Sequence, residues 1–284
     1  MLPHVDTRVP SEVEEYVQAI YRRMFPEGER GFVSRSFGWA EECFTGRHPG
    51  YQAVDAAYHD FEHTLQGTLC LARIWQGRAA AGATPVVPRH LVELSLLAIL
   101  FHDTGYLKKV GDSGGTGAKY TMTHVARSAD FASEYLALKG LPAAEIQVVR
   151  NMIYCTGVSV QLAKIPFQSK EEHIAGCALA TADLLGQMAA DDYVAKLPVL
   201  FEEFAEAVRF AGSETAGMLA RYQNADELRR ETPQFWRSFI LPRLEGEFGA
   251  QHRFLNQPWP DGPNSYLERI ERNLSMIRGG TDGK

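Results

Sequence analysis

The chain has 284 residues, 45% hydrophobic and 23% charged, with 25 Gly and 14 Pro, a composition that supports a packed core and excludes the collagen-like and disordered classes. Its 29 Lys+Arg against 35 Asp+Glu give a formal charge of −6, so no broad basic field exists to hold a nucleic-acid polymer, although a small anion in a local pocket stays compatible. Four cysteines, Cys43, Cys70, Cys155 and Cys177, lie far apart without a CxxC pair, which argues against a thiolate zinc knot and a disulfide scaffold. No apolar run approaches the ~18 residues of a membrane span, and residues 1–10 lack the basic-then-apolar order of a signal peptide. The expectation is a cytoplasmic chain with no membrane partner.

Period-2 alternation is absent and helical spacing recurs, so an all-α fold is predicted, a compact multi-helix bundle forming one domain over residues 1–284. Ser11 with Glu14 reads as a capping box ahead of Val13, Val17, Ile20 and Met24. A helical pattern then runs from His59 through Leu65, Leu69, Leu71 and Ile74. Residues 79–88 form a small-residue, proline-containing loop. Residues 91–101 (LVELSLLAILF) are apolar on nearly every side and too short to cross a bilayer, which predicts a central helix ending at His102 and Asp103. The loop 105–121 holds five glycines; no buried strand precedes it and Gly117, Ala118 and Lys119 lack the Gly-Lys-Ser/Thr order, so it reads as a flap or connector and not a P-loop. Thr123 is placed to cap the next helix, which stops at Gly140-Leu141-Pro142; Pro142 opens another that stops near Gly157. Ser169 with Glu172 caps a helix reaching Met188. Pro198, Pro233, Pro242 and residues 258–263 are expected to mark helix boundaries, and the charged residues 227–231 a solvated helix face.

The chemistry concentrates in a few side chains. His59 and His63 are four apart, so a helix puts both imidazoles on one face about 6 Å apart, either as a site or as a solvated face. His102 and Asp103 end the most buried helix, and Asp183 stands alone in an apolar helical stretch. Polar groups so placed need partners, since unpaired burial costs several kcal/mol. His63, His102, Asp103 and Asp183 together form a mixed nitrogen and oxygen set suited to one or two divalent ions, Zn²⁺, Mn²⁺, Fe²⁺ or Mg²⁺, with Asp103 able to bridge. His4, His48, His90, His173 and His252 have no matching partners and read as surface or structural residues. Cys155 and Cys177 read as packed thiols, and Phe204, Phe210, Phe235, Trp236 and Phe239 mostly as core.

The order His63, His102-Asp103, Asp183 resembles the H…HD…D signature of the HD-domain metal-dependent phosphohydrolases. Residues 58–63 (YHDFEH) are similar to the YHN-x-x-H element of the class I cyclic-nucleotide phosphodiesterases. Thr123, His124, Val125 and Ala126 resemble their histidine after the HD loop, residues 149–156 their helix before the last ligand, and Ala182, Asp183 and Leu184 their final Ala-Asp-Leu. Phe235, followed seven residues later by Pro242-Arg243-Leu244, resembles their Phe…Pro-Leu segment. The similarity spans residues 50–250, the expected core of the domain. Asp60 stands in place of the family's asparagine, and Thr121 and Thr123 where a glutamate is usual. Thr232 replaces the purine-reading glutamine, with Gln234 displaced in helical phase.

The resemblance implies that His63, His102, Asp103 and Asp183 hold the first ion, that Asp103 bridges to a second, and that His124 serves the second ion or the phosphate. It implies His59 as the general acid, with Asp103 also in the catalytic group, and Phe235, Thr232 and Gln234 at the substrate. The implied activity is hydrolysis of a phosphate ester, foremost a phosphodiester of a nucleotide-like substrate, by an ion-generated hydroxide while His59 protonates the leaving oxygen. The alternatives are an HD-type nucleotidase or phosphomonoesterase, a di-iron oxygenase on the same scaffold, and a non-catalytic nucleotide-binding regulator. Asp60 and Glu62 are expected either to orient the imidazoles or to be solvated.

Overall fold

A computed structural model describes residues 3–158, 160–212 and 217–279. Among them are ten α-helices of eleven or more residues and no strand, only the isolated bridges Tyr51 to Lys109 and Asn256 to Asn264. In chain order the helices, these ten and one of five residues, are α1 (Pro10–Met24), α2 (Phe32–Phe44), α3 (Phe61–Ala80), α4 (Arg89–Phe101), α5 (His124–Leu138), α6 (Ala143–Tyr154), α7 (Lys170–Met188), α8 (Tyr193–Ala211), α9 (Ala225–Phe235), the five-residue α10 (Leu241–Glu245) and α11 (Ser265–Gly279). The fold is a compact all-α bundle. No helix among the described residues is long and apolar enough to cross a membrane.

The expected central helix is α4, on which Leu91, Val92 and every residue from Leu94 to Phe101 are buried. It packs against α3, α6 and α7. The α3–α7 contact is the most extensive in the bundle and depends on two glycines. A Cβ on Gly186 would lie 2.7 Å from the Gln66 carbonyl carbon, and one on Gly67 would lie 3.2 Å from Ile99 Cδ1 and 3.6 Å from the Asp183 Cα. Gly67 is four residues after His63 and Gly186 three after Asp183, so each glycine brings the backbones together one turn from a polar side chain.

Helix starts follow local chemistry, with corrections. Ser169 accepts the Glu172 N–H at 3.0 Å, as expected, while the Glu172 carboxylate turns to the Gln168 N–H and to Asn151. Ser11 does not cap α1: the helix begins at Pro10, whose missing N–H falls where no intrahelical bond is required. Thr123 precedes α5, but its hydroxyl donates to the Tyr120 carbonyl and caps nothing. Pro198 and Pro233 are not boundaries. Pro198 lies in the second turn of α8, which continues without the bond its nitrogen would have made, and Pro233 lies within α9, which continues through a π-turn at Trp236–Ile240 into α10 with Pro242 in its first turn. All four cysteines are free and buried.

Loop 105–121 is strapped down. Glu206 on α8 accepts the Thr116 N–H at 2.5 Å and its hydroxyl at 2.8 Å. Asp55 accepts the Gly117 N–H at 2.8 Å and pairs with Lys108 at 2.6 Å. These loop amides already serve carboxylates, which leaves them no phosphate-cradling role.

Candidate metal centre

Four elements deliver the polar side chains to one point. Asp60 caps α3 by accepting the His63 N–H at 2.8 Å, so His63 lies in the first turn while His59, expected on the same helix, sits in the bend before the cap, its ring 5.3 Å from that of His63. Helix α4 ends at Phe101, His102 caps it still in helical conformation, and the backbone leaves helical geometry at Asp103, so that His102 and Asp103, neighbours in sequence, reach the same centre. Asp183 comes from the middle of α7 and His124 opens α5.

His63 Nε2 lies 3.2 Å from Asp103 Oδ2 and 3.3 Å from Asp183 Oδ1; His102 Nε2 lies 3.4 Å from Asp103 Oδ2 and 3.3 Å from Asp183 Oδ1. All four residues are buried. His102 Nε2, Asp103 Oδ2 and Asp183 Oδ1 are buried without any hydrogen-bond partner. Donors held ~2.0–2.2 Å from a common small ion stand about 3–3.5 Å apart, a spacing that the four nitrogen–oxygen separations match, and the unmatched lone pairs of His102, Asp103 and Asp183 suit a cation. His63, His102 and Asp183, and separately His59, His63 and Asp103, are groups able to hold a metal ion.

The other ring nitrogens set the tautomers. His102 Nδ1 donates to the Ile99 carbonyl at 2.7 Å and His124 Nδ1 to the Thr121 carbonyl at 2.6 Å, leaving each Nε2 as the lone-pair atom. His124 Nε2 stands 3.8 Å from Asp103 Oδ1, so the two oxygens of Asp103 face two sides of the cluster. His63 Nδ1 is buried without a partner. Its ring is positioned by packing and by the Nε2 side alone.

Electrostatics match the geometry. Burial pulls the His63 imidazole down, but Asp103 and Asp183 outweigh it and hold His63 up to about 10. His102 is raised by the same carboxylates against the same burial. Burial pushes Asp103 and Asp183 up, yet the imidazoles hold both well below the usual carboxylate range. His124 is lowered by its burial.

His59 is set by a residue that the sequence did not single out. Glu203 on α8 is 4% exposed; its carboxylate contacts His59 Nδ1 at 2.5 Å and accepts the Tyr58 N–H at 2.7 Å and the His59 N–H at 3.4 Å. Tyr106, also unforeseen, is fully buried and stacks its ring on His59 at 4.5 Å and on His124 at 4.9 Å. Asp60 and Glu62 orient no imidazole: Asp60 is spent on the cap, and Glu62 pairs with Lys196 at 2.9 Å.

Of the three side chains expected at the substrate, two have other partners and one is exposed. The Thr232 hydroxyl donates to the Leu228 carbonyl, Phe235 stacks on Phe239 at 5.0 Å, and Gln234 is exposed. None of the three has a hydrogen bond or ring contact with the histidine and aspartate cluster among the described residues. His252 and His48 are structural, as expected. His252 is buried beside Glu245, and His48 packs among Tyr51, Phe131 and Tyr135.

A family model described as Npun_R2479-like matches residues 112–249. The matched span contains His124, Asp183, Glu203 and Glu206 and begins after the His102-Asp103 pair. No curated protein matches the chain.

Proposed function

We propose that the chain is a metal-dependent phosphohydrolase of the HD type, acting on a small phosphate ester, with a nucleotide-like phosphodiester as the leading substrate class. One observation carries this reading: two imidazole nitrogens and two carboxylate oxygens meet in the core at 3.2–3.4 Å, with His102 Nε2, Asp103 Oδ2 and Asp183 Oδ1 lacking any other partner. His63, His102, Asp103 and Asp183 would hold the first divalent ion, and Asp103 with His124 would serve a second. Such ions neutralise a phosphoryl oxygen and make water a nucleophile near neutral pH.

The chain's own residues supply the rest. His59 stands beside the cluster, its ring 5.3 Å from that of His63, and Glu203 holds its Nδ1, so its Nε2 is the atom able to pass a proton to a leaving oxygen. Tyr106 fills the face between His59 and His124 and keeps bulk water from that side of both rings. Loop 105–121, tied to Glu206 and Asp55, holds Tyr106 and His124 in register. The test is hydrolysis of a panel of cyclic nucleotides, nucleotides and bis(p-nitrophenyl) phosphate by protein loaded with Mn²⁺, Zn²⁺ or Mg²⁺. Release of a monoester from a diester supports the leading class, release of inorganic phosphate moves the chain to the phosphomonoesterases, and no turnover with any metal contradicts the proposal.

A further inference from the structure

A second site lies further along α3. Arg73 is ten residues beyond His63, about 15 Å along the helix axis, and is only 7% exposed. Its guanidinium donates to the Tyr266 hydroxyl at 2.9 Å and the Pro3 carbonyl at 2.7 Å and lies against the rings of Tyr16 and Tyr266. Its Nε–H is buried with no acceptor, and no carboxylate pairs with the charge among the described residues. Arg78, equally buried on the same helix, differs: it donates to Gln251 and Pro85, lies over the Phe254 ring, and leaves no buried nitrogen without a partner.

A cavity of about 210 Å³ opens on Arg73, walled by the segment leading into α1, by Gln66 and Leu69 of α3, by the end of α7 and by Arg269 of α11. At ~30 Å³ per water this is room for about seven waters, or for one small organic anion. The acids around it are mostly engaged. Asp6 pairs with Arg8 at 2.7 Å, and Lys196 pairs with Glu62 at 2.9 Å and Asp192 at 3.4 Å. Arg73 and Arg269 are the wall's cations without an ion pair among the described residues, Lys196 is shared between Glu62 and Asp192, and Asp191 is the wall's exposed acid. A buried guanidinium lacking a counter-charge is costly, and its planar fork matches an oxyanion.

We propose that this cavity binds a small oxyanion, the carboxylate or phosphate group of a metabolite, on Arg73 and Arg269, at a site separate from the metal centre. Calorimetric titration of the EDTA-stripped full chain with inorganic phosphate and, separately, with acetate tests it, since removing metal silences the other place where phosphate would bind. Saturable binding is expected, weakened about tenfold or more by Arg269→Gln and by Arg73→Gln, and the preferred anion distinguishes a phosphoryl from a carboxylate ligand. Should Arg73→Gln fail to fold, Arg269→Gln, on the half-buried face of α11, carries the test alone. No saturable binding of either anion, or binding that Arg269→Gln leaves unchanged, overturns the proposal.

Discussion

Glu203 offers a sharp test of the role proposed for His59, because it touches His59 and none of the four residues proposed as ligands. In Glu203→Ala the buried donors His59 Nδ1–H and Tyr58 N–H lose their acceptor, contacts now at 2.5 and 2.7 Å. At ~1–3 kcal/mol for each of the two groups left unsatisfied, the variant loses about 2–6 kcal/mol of stability. Glu203→Gln keeps an oxygen for Tyr58 and removes the charge, turning a charge-assisted hydrogen bond into a neutral one at about 1–2 kcal/mol. It therefore folds, and it serves for kinetics. With His59 less firmly oriented and its cationic form no longer balanced, turnover falls about 10–100-fold, the usual scale for a residue that positions a catalytic one. The assay compares two phosphodiesters, one releasing a nitrophenolate that needs little protonation and one releasing an alkoxide that needs it fully. The alkoxide ester should suffer the larger loss while metal content stays at the wild-type level. Equal losses on both esters, or loss of metal, would refute the assignment of His59 as proton donor.

Three other outcomes follow from the same geometry. His59→Ala should slow alkoxide release by about 10²–10⁴-fold with metal retained; metal lost with the side chain would make His59 a ligand, as its grouping with His63 and Asp103 allows. In the metal-free protein His63 is held up to about 10, above its unfolded value of about 6.5. Its stabilising interaction with Asp103 and Asp183 is thus fully present below about pH 6.5 and is lost as pH rises through about 10. Since a ligating imidazole must be neutral, metal binding at pH 7.5 should release about one proton or more, read from titration heats in buffers of different ionisation enthalpy, and affinity should rise with pH; binding with no proton release would contradict this. Gly105→Ala should lower stability by about 1–3 kcal/mol in chemical denaturation, because its Cβ would sit 2.0 Å from the His124 carbonyl oxygen; an unchanged midpoint would show that α5 is free to shift.

The sequence exposes what depends on local pattern. The apolar run ending at His102 and Asp103, the i, i+4 pair of His59 and His63, and the lone acid Asp183 on an apolar helix are all visible as residues that break the rule of their surroundings. Their convergence is what the bundle adds. Glu203 is hidden because an acid on a helix whose neighbours are Glu202 and Glu206 looks solvated; only the packing of α8 over residues 58 and 59 reveals it as buried. Tyr106 is hidden because a tyrosine in a glycine-rich loop carries no periodic signal, and its place is fixed by ring stacking between elements far apart in the chain. Pro198 and Pro233 mislead because proline is read as a stop: each costs its helix one backbone hydrogen bond and crowds the turn before it, yet α8 and α9 continue through them.

The most direct measurement is the divalent metal content of the purified full chain, determined by elemental mass spectrometry for the wild type and for Asp103→Ala, alongside hydrolysis of bis(p-nitrophenyl) phosphate. One or two ions per wild-type chain, with metal and hydrolysis both lost in the variant, is the predicted result. A wild-type chain that hydrolyses the ester without bound metal, or an Asp103→Ala chain that keeps both ion and activity, would contradict it.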